Sequence, residues 1–166
     1  MNTEIQVKAA KIKLVIFDVD GVLTDGRLYF APNGEELKVF YVHDGLGIKL
    51  LQEAGITVAI ISSRESPIVV QRFGSLGVRY IYQGQADKRP AFDQLLKELK
   101  INAEHVAYVG DDLPDLPLIQ QAGLGIAVAN AQPAVKQHAD WQTTLKGGKG
   151  AAREVCEFIL QAKKAC

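Results

Sequence analysis

Leu14-Val15-Ile16-Phe17-Asp18-Val19-Asp20-Gly21 is the stretch on which the fold turns. Its first half is a short, uninterrupted apolar run, the pattern of a strand buried on both faces. Its second half switches abruptly to two carboxylates and a glycine, a change that marks the end of a strand and the start of a loop. Val58-Ala59-Ile60-Ile61 and Val106-Ala107-Tyr108-Val109 repeat the apolar run, and Tyr80-Ile81-Tyr82 and Gly125-Ile126-Ala127-Val128 are weaker versions. Helical patterns lie between them, predicted over Gly47 to Ala54, Pro67 to Leu76, Pro90 to Leu99, Asp112 to Ala122 and Ala151 to Ala162. The second of these has Ser66 as N-cap and Pro67 in its first turn. The third carries Phe92, Leu95, Leu96 and Leu99 at helical spacing. Strands alternating with helices imply an α/β fold, a Rossmann-like, doubly wound parallel sheet with helices on both faces.

One segment breaks the alternation. Residues 26–43 read as a β-hairpin flap, with arms at Leu28-Tyr29-Phe30 and Leu37 to Val42 around Pro32-Asn33-Gly34. Asn-Gly is a strong hairpin-turn signal. The arms are apolar on both faces, so both faces need cover. A separate domain needs roughly 50 residues or more. The gap between Asp20 and Ser62 already holds this hairpin and a helix, which leaves no room for a cap domain. The 166 residues therefore read as one domain, ending in a Gly-rich loop and helix over about 147–163.

Ligands of an open parallel sheet bind beyond the carboxyl ends of its strands. Unusual polar residues stand at those ends: Asp18 and Asp20, then Ser62-Ser63-Arg64, then Lys88 at the start of a helix, then Asp111-Asp112 with Asp115. Singly, each is ordinary, since turns and helix starts favour such residues. Together and in order they describe one crevice. Asp18, Asp20 and Asp111 are hard oxygen donors suited to Mg2+, which keeps several waters and accepts phosphate oxygens. Lys88 and the Ser62 hydroxyl add a cation and a donor for phosphoryl oxygens. Asp18 is the expected nucleophile, forming an aspartyl phosphate. Asp20 is the expected acid–base group.

Composition narrows the partners. Lys plus Arg and Asp plus Glu are 19 each, so net charge offers no case for nucleic acid or an anionic membrane. No apolar run reaches the length of a membrane span. The segment MNTEIQVKAAKIK lacks the apolar core of a signal peptide. Cys156 and Cys166 read as packing or surface residues on one helix, too far apart to bridge. The expected location is the cytoplasm. His105 and His138 read as surface or capping residues, and Trp141 as packing beside the last strand.

This pattern resembles the haloacid-dehalogenase-like superfamily. The resemblance implies Asp18 as nucleophile, Asp20 as acid–base with its backbone carbonyl on Mg2+, Ser62 and Lys88 on the phosphate, Asp111 on the metal, and Asp112 and Asp115 in support. DVDGVLTDGRLYF, NGEELKVFYVHDGLGIKLL, YQGQADK, AYVGDDLPD and GGKGAAREVCEFIL further resemble the 3-deoxy-D-manno-octulosonate 8-phosphate phosphatases, from about Lys11 onward. That implies a cap-less homotetramer acting in lipopolysaccharide synthesis. It also implies substrate contacts from Asp20, Tyr41, Val42, His43, Asp44, Gly45, Lys49, Arg64, Arg72, Lys88 and Lys149. His43, Lys49 and Lys149 stand where the family often has arginine, and Ser62-Ser63-Arg64 replaces the commoner Thr-Gly-Arg. Arg64 favours the eight-carbon substrate over a nine-carbon 2-keto sugar acid phosphate, the nearest alternative. A phosphoacceptor signalling domain is the alternative of a different class. It would need an acceptor aspartate where this chain has Tyr82-Gln83-Gly84. For assembly, the hairpin residues Tyr29, Phe30, Phe40 and Tyr41 are expected to meet other subunits and to keep water from the phosphoenzyme.

Overall fold

The computed structural model describes residues 3–165. Its sheet uses strands β1 (Leu14–Phe17), β4 (Thr57–Ile61), β5 (Tyr80–Tyr82), β6 (Val106–Gly110), β7 (Leu124–Ala127) and β8 (Trp141–Gln142). The order across it is β5-β4-β1-β6-β7-β8, with every pair parallel. Strand β1 therefore lies centrally, with β4 on one side and β6 on the other. The chain winds outward from β1 in one direction, then returns to wind in the other. The reversal opens a crevice at the carboxyl end of β1. All of β1 and β6 is buried, as the continuous apolar runs require.

Helices α1 (Thr3–Ala10) and α2 (Val42–Glu53) both pack on α7 (Ala151–Lys164). Helices α4 (Arg89–Leu99), α5 (Leu116–Gln121) and α6 (Pro133–His138) pack in succession. Helix α3 (Pro67–Ser75) links β4 to β5. Right-handed crossovers from a parallel sheet distribute these helices over its two faces. Trp141 on β8 packs on Phe158 of α7, with ring centroids 4.4 Å apart. The thiol of Cys156 is buried in α7, and Cys166 lies outside the described residues.

Several elements differ from the sequence expectation. The hairpin arms are short: β2 is Tyr29–Phe30 and β3 is Glu36–Leu37. Lys38 lies beyond the ladder, with its ammonium on Asp20. Helix α2 begins at Val42 rather than Gly47. Gly45 and Gly47 look like helix breakers, at a cost of about 1 kcal/mol each relative to alanine. Here they are close-approach positions. A Cβ on Gly47 would lie 3.1 Å from Cys156 Cβ on α7, and one on Gly45 would lie 2.5 Å from an Arg72 guanidinium nitrogen. The helix predicted from Asp112 divides into a 3-10 turn over Leu113–Asp115 and α5. Ser66 does stand at the N-cap of α3, without a side-chain cap hydrogen bond. Helix α1 lies outside the predicted patterns, and α6 ends at His138.

Candidate active site

The crevice holds a cleft of about 300 Å3 lined by Asp18, Asp20, Ser62, Arg64, Lys88, Asp111, Asp112 and Asp115, among others. The three central strands and the β5–α4 turn deliver these residues together, as their strand-end positions require. Gly21 makes the approach possible. Its φ is +97°, and a Cβ there would fall 2.0 Å from Asp111 Oδ2. Only glycine lets the β1 loop turn this way with the Asp111 carboxylate against it.

Lys88 is the organising cation. Its ammonium donates to Asp18 Oδ1 at 2.7 Å and to Asp115 Oδ1 at 2.6 Å, with Tyr108 Oη at 3.3 Å. Burial alone disfavours its charge, but the carboxylates of Asp18 and Asp115 outweigh that and hold its pKa above the ordinary lysine value. Asp115 is saturated. Oδ1 also accepts from Tyr108 Oη at 2.6 Å, and Oδ2 accepts from the backbone N–H of Asp111 and of Asp112 at 3.0 and 3.2 Å. A carboxylate offers about four lone-pair sites, and all of them have donors.

Donor atoms of Asp18, Asp111 and Asp115 lie within 4.8 Å of one another. The saturation of Asp115 assigns it to support and leaves Asp18 and Asp111 as the carboxylates free to hold a cation. Burial, followed by repulsion from Asp115, pushes Asp18 up to about 7. Burial, followed by repulsion from Asp18 and Asp115, pushes Asp111 up to about 8. Such mutually raised carboxylates fit a divalent cation, whose charge relieves the repulsion. Asp112 is exposed. Its Oδ1 accepts from Leu113 N at 2.8 Å, so it caps the 3-10 turn.

Asp20 stands at the cleft mouth. Its Oδ1 accepts from Lys38 Nζ at 2.6 Å, and Arg64 Nε lies 3.8 Å from Oδ2. Arg64 also donates to Glu36 Oε1 at 2.9 Å.

The other expected substrate contacts do not line this cleft within one chain. Tyr41, Val42, His43 and Lys49 lie exposed on or just before α2. Asp44 departs from the expectation: it is 2% exposed, and its Oδ1 accepts from Arg153 N at 2.8 Å. Gly150, the N-cap of α7, has no side chain, so Asp44 caps that helix from α2. Arg72 also departs from it. It lies over Gly45, in a small cavity with Leu23, Phe40 and Phe73, and does not join Arg64. Lys149 borders a separate cavity of about 200 Å3 with Asp25, Arg27, Asn130 and Lys146. Its loop is seated on its own chain: Gly147 N donates to Asn130 Oδ1, and Asn130 Nδ2 donates to Gly21 O.

Sequence reasoning missed Tyr108, Glu36 and Lys38. Tyr108 carries a hydroxyl in an otherwise aliphatic strand, and a buried tyrosine hydroxyl generally has a partner. Lys38 and Glu36 are opposite charges two residues apart, on the hairpin face shared with Phe40 and Val42.

Residues 74–155 match the model of a family described as haloacid dehalogenase-like hydrolase. The chain is 48% identical over 163 residues to the 3-deoxy-D-manno-octulosonate 8-phosphate phosphatase KdsC of Salmonella typhi, covering 98% of this chain and 87% of that protein. It is equally similar, over the same shares, to that of Escherichia coli strain K12. The structure of the Moraxella catarrhalis 3-deoxy-D-manno-octulosonate 8-phosphate phosphatase, in complex with magnesium, phosphate and KDO, superimposes with a TM-score of 0.97. It is 48% identical, over 99% of this chain and 94% of that one. The cobalt-bound Haemophilus influenzae phosphatase superimposes with a TM-score of 0.91 at 47% identity, over 95% and 92%. With Asp18, Lys88, Asp111 and Asp115 converging at the carboxyl end of β1, the chain belongs to the haloacid dehalogenase-like hydrolases, in the family of the 3-deoxy-D-manno-octulosonate 8-phosphate phosphatases.

Proposed function

We propose that this protein hydrolyses 3-deoxy-D-manno-octulosonate 8-phosphate to the free sugar acid and phosphate, supplying lipopolysaccharide synthesis in the cytoplasm. The observation that carries the reading is the Asp18–Lys88–Asp115 arrangement beside Asp111. Its relative of known structure binds magnesium, phosphate and the product sugar acid.

Asp18 and Asp111 would hold Mg2+, with the backbone carbonyl of Asp20 as the further protein ligand. The ion supplies the positive charge that lets a carboxylate approach a phosphate dianion. Lys88 fixes the rotation of the Asp18 carboxylate and neutralises charge on the transferring group. Asp18 attacks phosphorus as the bond to the sugar oxygen breaks, and Asp20 gives that oxygen its proton. Asp20, now ionised, removes a proton from water as the water attacks the aspartyl phosphate. Phosphate leaves, and both aspartates return to their starting states. Ser62 donates to a phosphoryl oxygen. Arg64 at the cleft mouth is the proposed partner of the substrate carboxylate, whose planar fork it matches.

The hairpin supports a proposed homotetramer. Phe30, Val39 and Val42, in and just after the hairpin, are 60%, 62% and 75% exposed, apolar side chains left without cover. Tyr29 and Phe40, expected at that interface, turn to their own chain instead, Tyr29 onto Asp25 and Phe40 onto Phe73. Association would bring Tyr41, Val42, His43, Lys49 or Lys149 of one subunit towards the cleft of another.

The test is phosphate release from a panel of phosphorylated sugar acids with Mg2+ or with a chelator. Activity is expected on the eight-carbon acid, lost on chelation and absent in Asp18→Asn. Turnover by Asp18→Asn near the wild-type rate would exclude the aspartyl-phosphate route.

A further inference from the structure

Lys38 has its side chain 4% exposed, yet it comes from a two-stranded hairpin at the surface. Its ammonium lies 2.6 Å from Asp20 Oδ1 and 3.2 Å from Glu36 Oε1. Arg64 closes a ring from the other side, 2.9 Å from the same Glu36 oxygen and 3.8 Å from Asp20 Oδ2. Two acids and two bases share the ring, so the buried ammonium is compensated from both directions.

The arrangement distinguishes the two oxygens of Asp20. An ammonium has donors only, so the oxygen it grips cannot also present a proton along that contact. The other oxygen lies beyond hydrogen-bonding distance of Arg64 Nε. A free carboxylic acid can rotate and exchange its two oxygens, whereas a carboxylate held at Oδ1 cannot do so without breaking a charged hydrogen bond.

We propose that Lys38 is a positioning residue for the acid–base step: by gripping Oδ1 of Asp20 it commits Oδ2 to carry the proton that passes to the leaving alcohol. Glu36 holds Lys38 in turn, so the seating of the hairpin and the aim of Asp20 are one structural event. The inference rests on the phosphatase reading. Wild-type turnover that disappears in Asp18→Asn tests that reading separately.

The experiment compares Lys38→Met, Lys38→Arg and Asp20→Asn on two esters. One is 3-deoxy-D-manno-octulosonate 8-phosphate, whose alkoxide leaving group needs a proton. The other is para-nitrophenyl phosphate, whose phenolate leaves without one. The quantity read is kcat/KM, which covers steps only through loss of the alcohol and so excludes hydrolysis of the phosphoenzyme. Lys38→Met is expected to lose roughly 30-fold or more on the sugar ester and under about 5-fold on the aryl ester, because only the first depends on general acid catalysis. Lys38→Arg is expected to restore part of the loss. In an Asp20→Asn background Lys38→Met should cost under about 3-fold on the sugar ester, since two residues acting as one unit are non-additive. Lys38→Gln carries the same comparison should the methionine variant not fold. An equal loss on both esters, or a full additional loss on top of Asp20→Asn, would make Lys38 a structural pin of the hairpin and overturn the proposal.

Discussion

The ammonium of Lys88 reaches Asp18 Oδ1 at 2.7 Å from 70 residues further along the chain, and both groups are buried. This contact joins the turn after β5 to the end of β1. It makes one lysine responsible for two buried carboxylates, since Asp115 shares it.

Lys88→Met should therefore damage stability as well as catalysis. Removing one partner of a buried ion pair leaves an uncompensated charge and typically costs about 3–5 kcal/mol. Urea unfolding of the metal-free protein should show a loss in that range, together with near-complete loss of phosphate release. A variant as stable as the wild type would mean that Asp18 and Asp115 are protonated or solvated once the lysine is gone.

The raised carboxylates predict a pH signature that Mg2+ reverses. Asp18 and Asp111 are pushed up to about 7 and about 8 in the folded protein, against about 3.9 for an unfolded aspartate. Their contribution to stability is thus fully present below about pH 4 and is lost as pH rises through 7 to 8. Asp111→Asn should raise the Tm of the metal-free protein at about pH 8 relative to wild type and should remove the Tm increase caused by Mg2+. In the wild type that Mg2+-induced increase should shrink as pH falls below about 7, because protons compete with the ion. Thermal melts with chelator and with Mg2+ at several pH values check all three.

Assembly is tested at the hairpin. Phe30→Glu with Val39→Glu places two charges on side chains that are already exposed in the single chain, so folding should survive. Light scattering should then report a smaller species than the proposed tetramer, and activity on the sugar ester should fall with it. A wild-type protein that is monomeric and fully active at micromolar concentration would end the assembly proposal.

Arg64→Ala addresses substrate choice. If Arg64 pairs with the substrate carboxylate, its loss should cost about 1.5–3 kcal/mol for a charged hydrogen bond on the sugar acid and much less on para-nitrophenyl phosphate. Glu36 occupies the guanidinium in the structure, so the substrate carboxylate must replace it. Equal losses on the two substrates would return Arg64 to the role of holding Glu36 alone.

The central strands were legible because a strand buried on both faces has no use for polar residues, and β1 matches its predicted bounds; the half-buried edge strand Tyr80–Tyr82 matches them too. The cluster was legible for a related reason: polar residues directly after such strands can only point into the crevice. The start of α2 was not legible, because Gly45 and Gly47 signal flexibility in sequence while serving close packing against Arg72 and α7. Asp44, placed at the substrate by the family resemblance, is buried instead against the N–H of Arg153, 109 residues away, a partner no local pattern records.

By itself, then, the amino-acid order determined the parallel sheet, the strand ends that carry Asp18, Asp20, Ser62, Lys88 and Asp111, and the chemistry those residue types can perform together. These follow from local periodicity and from the rule that parallel strands deliver their carboxyl ends to one side. Tertiary structure alone decided which carboxylates are free to hold a cation and which are occupied. Asp111 and Asp115 are both aspartates in one short loop, yet four donors saturate Asp115 while Asp111 is left against the glycine at position 21. It also decided that Lys38 turns inward. A side chain's hydrogen-bond partners are set by distances between segments far apart in sequence, and local pattern carries no record of those distances.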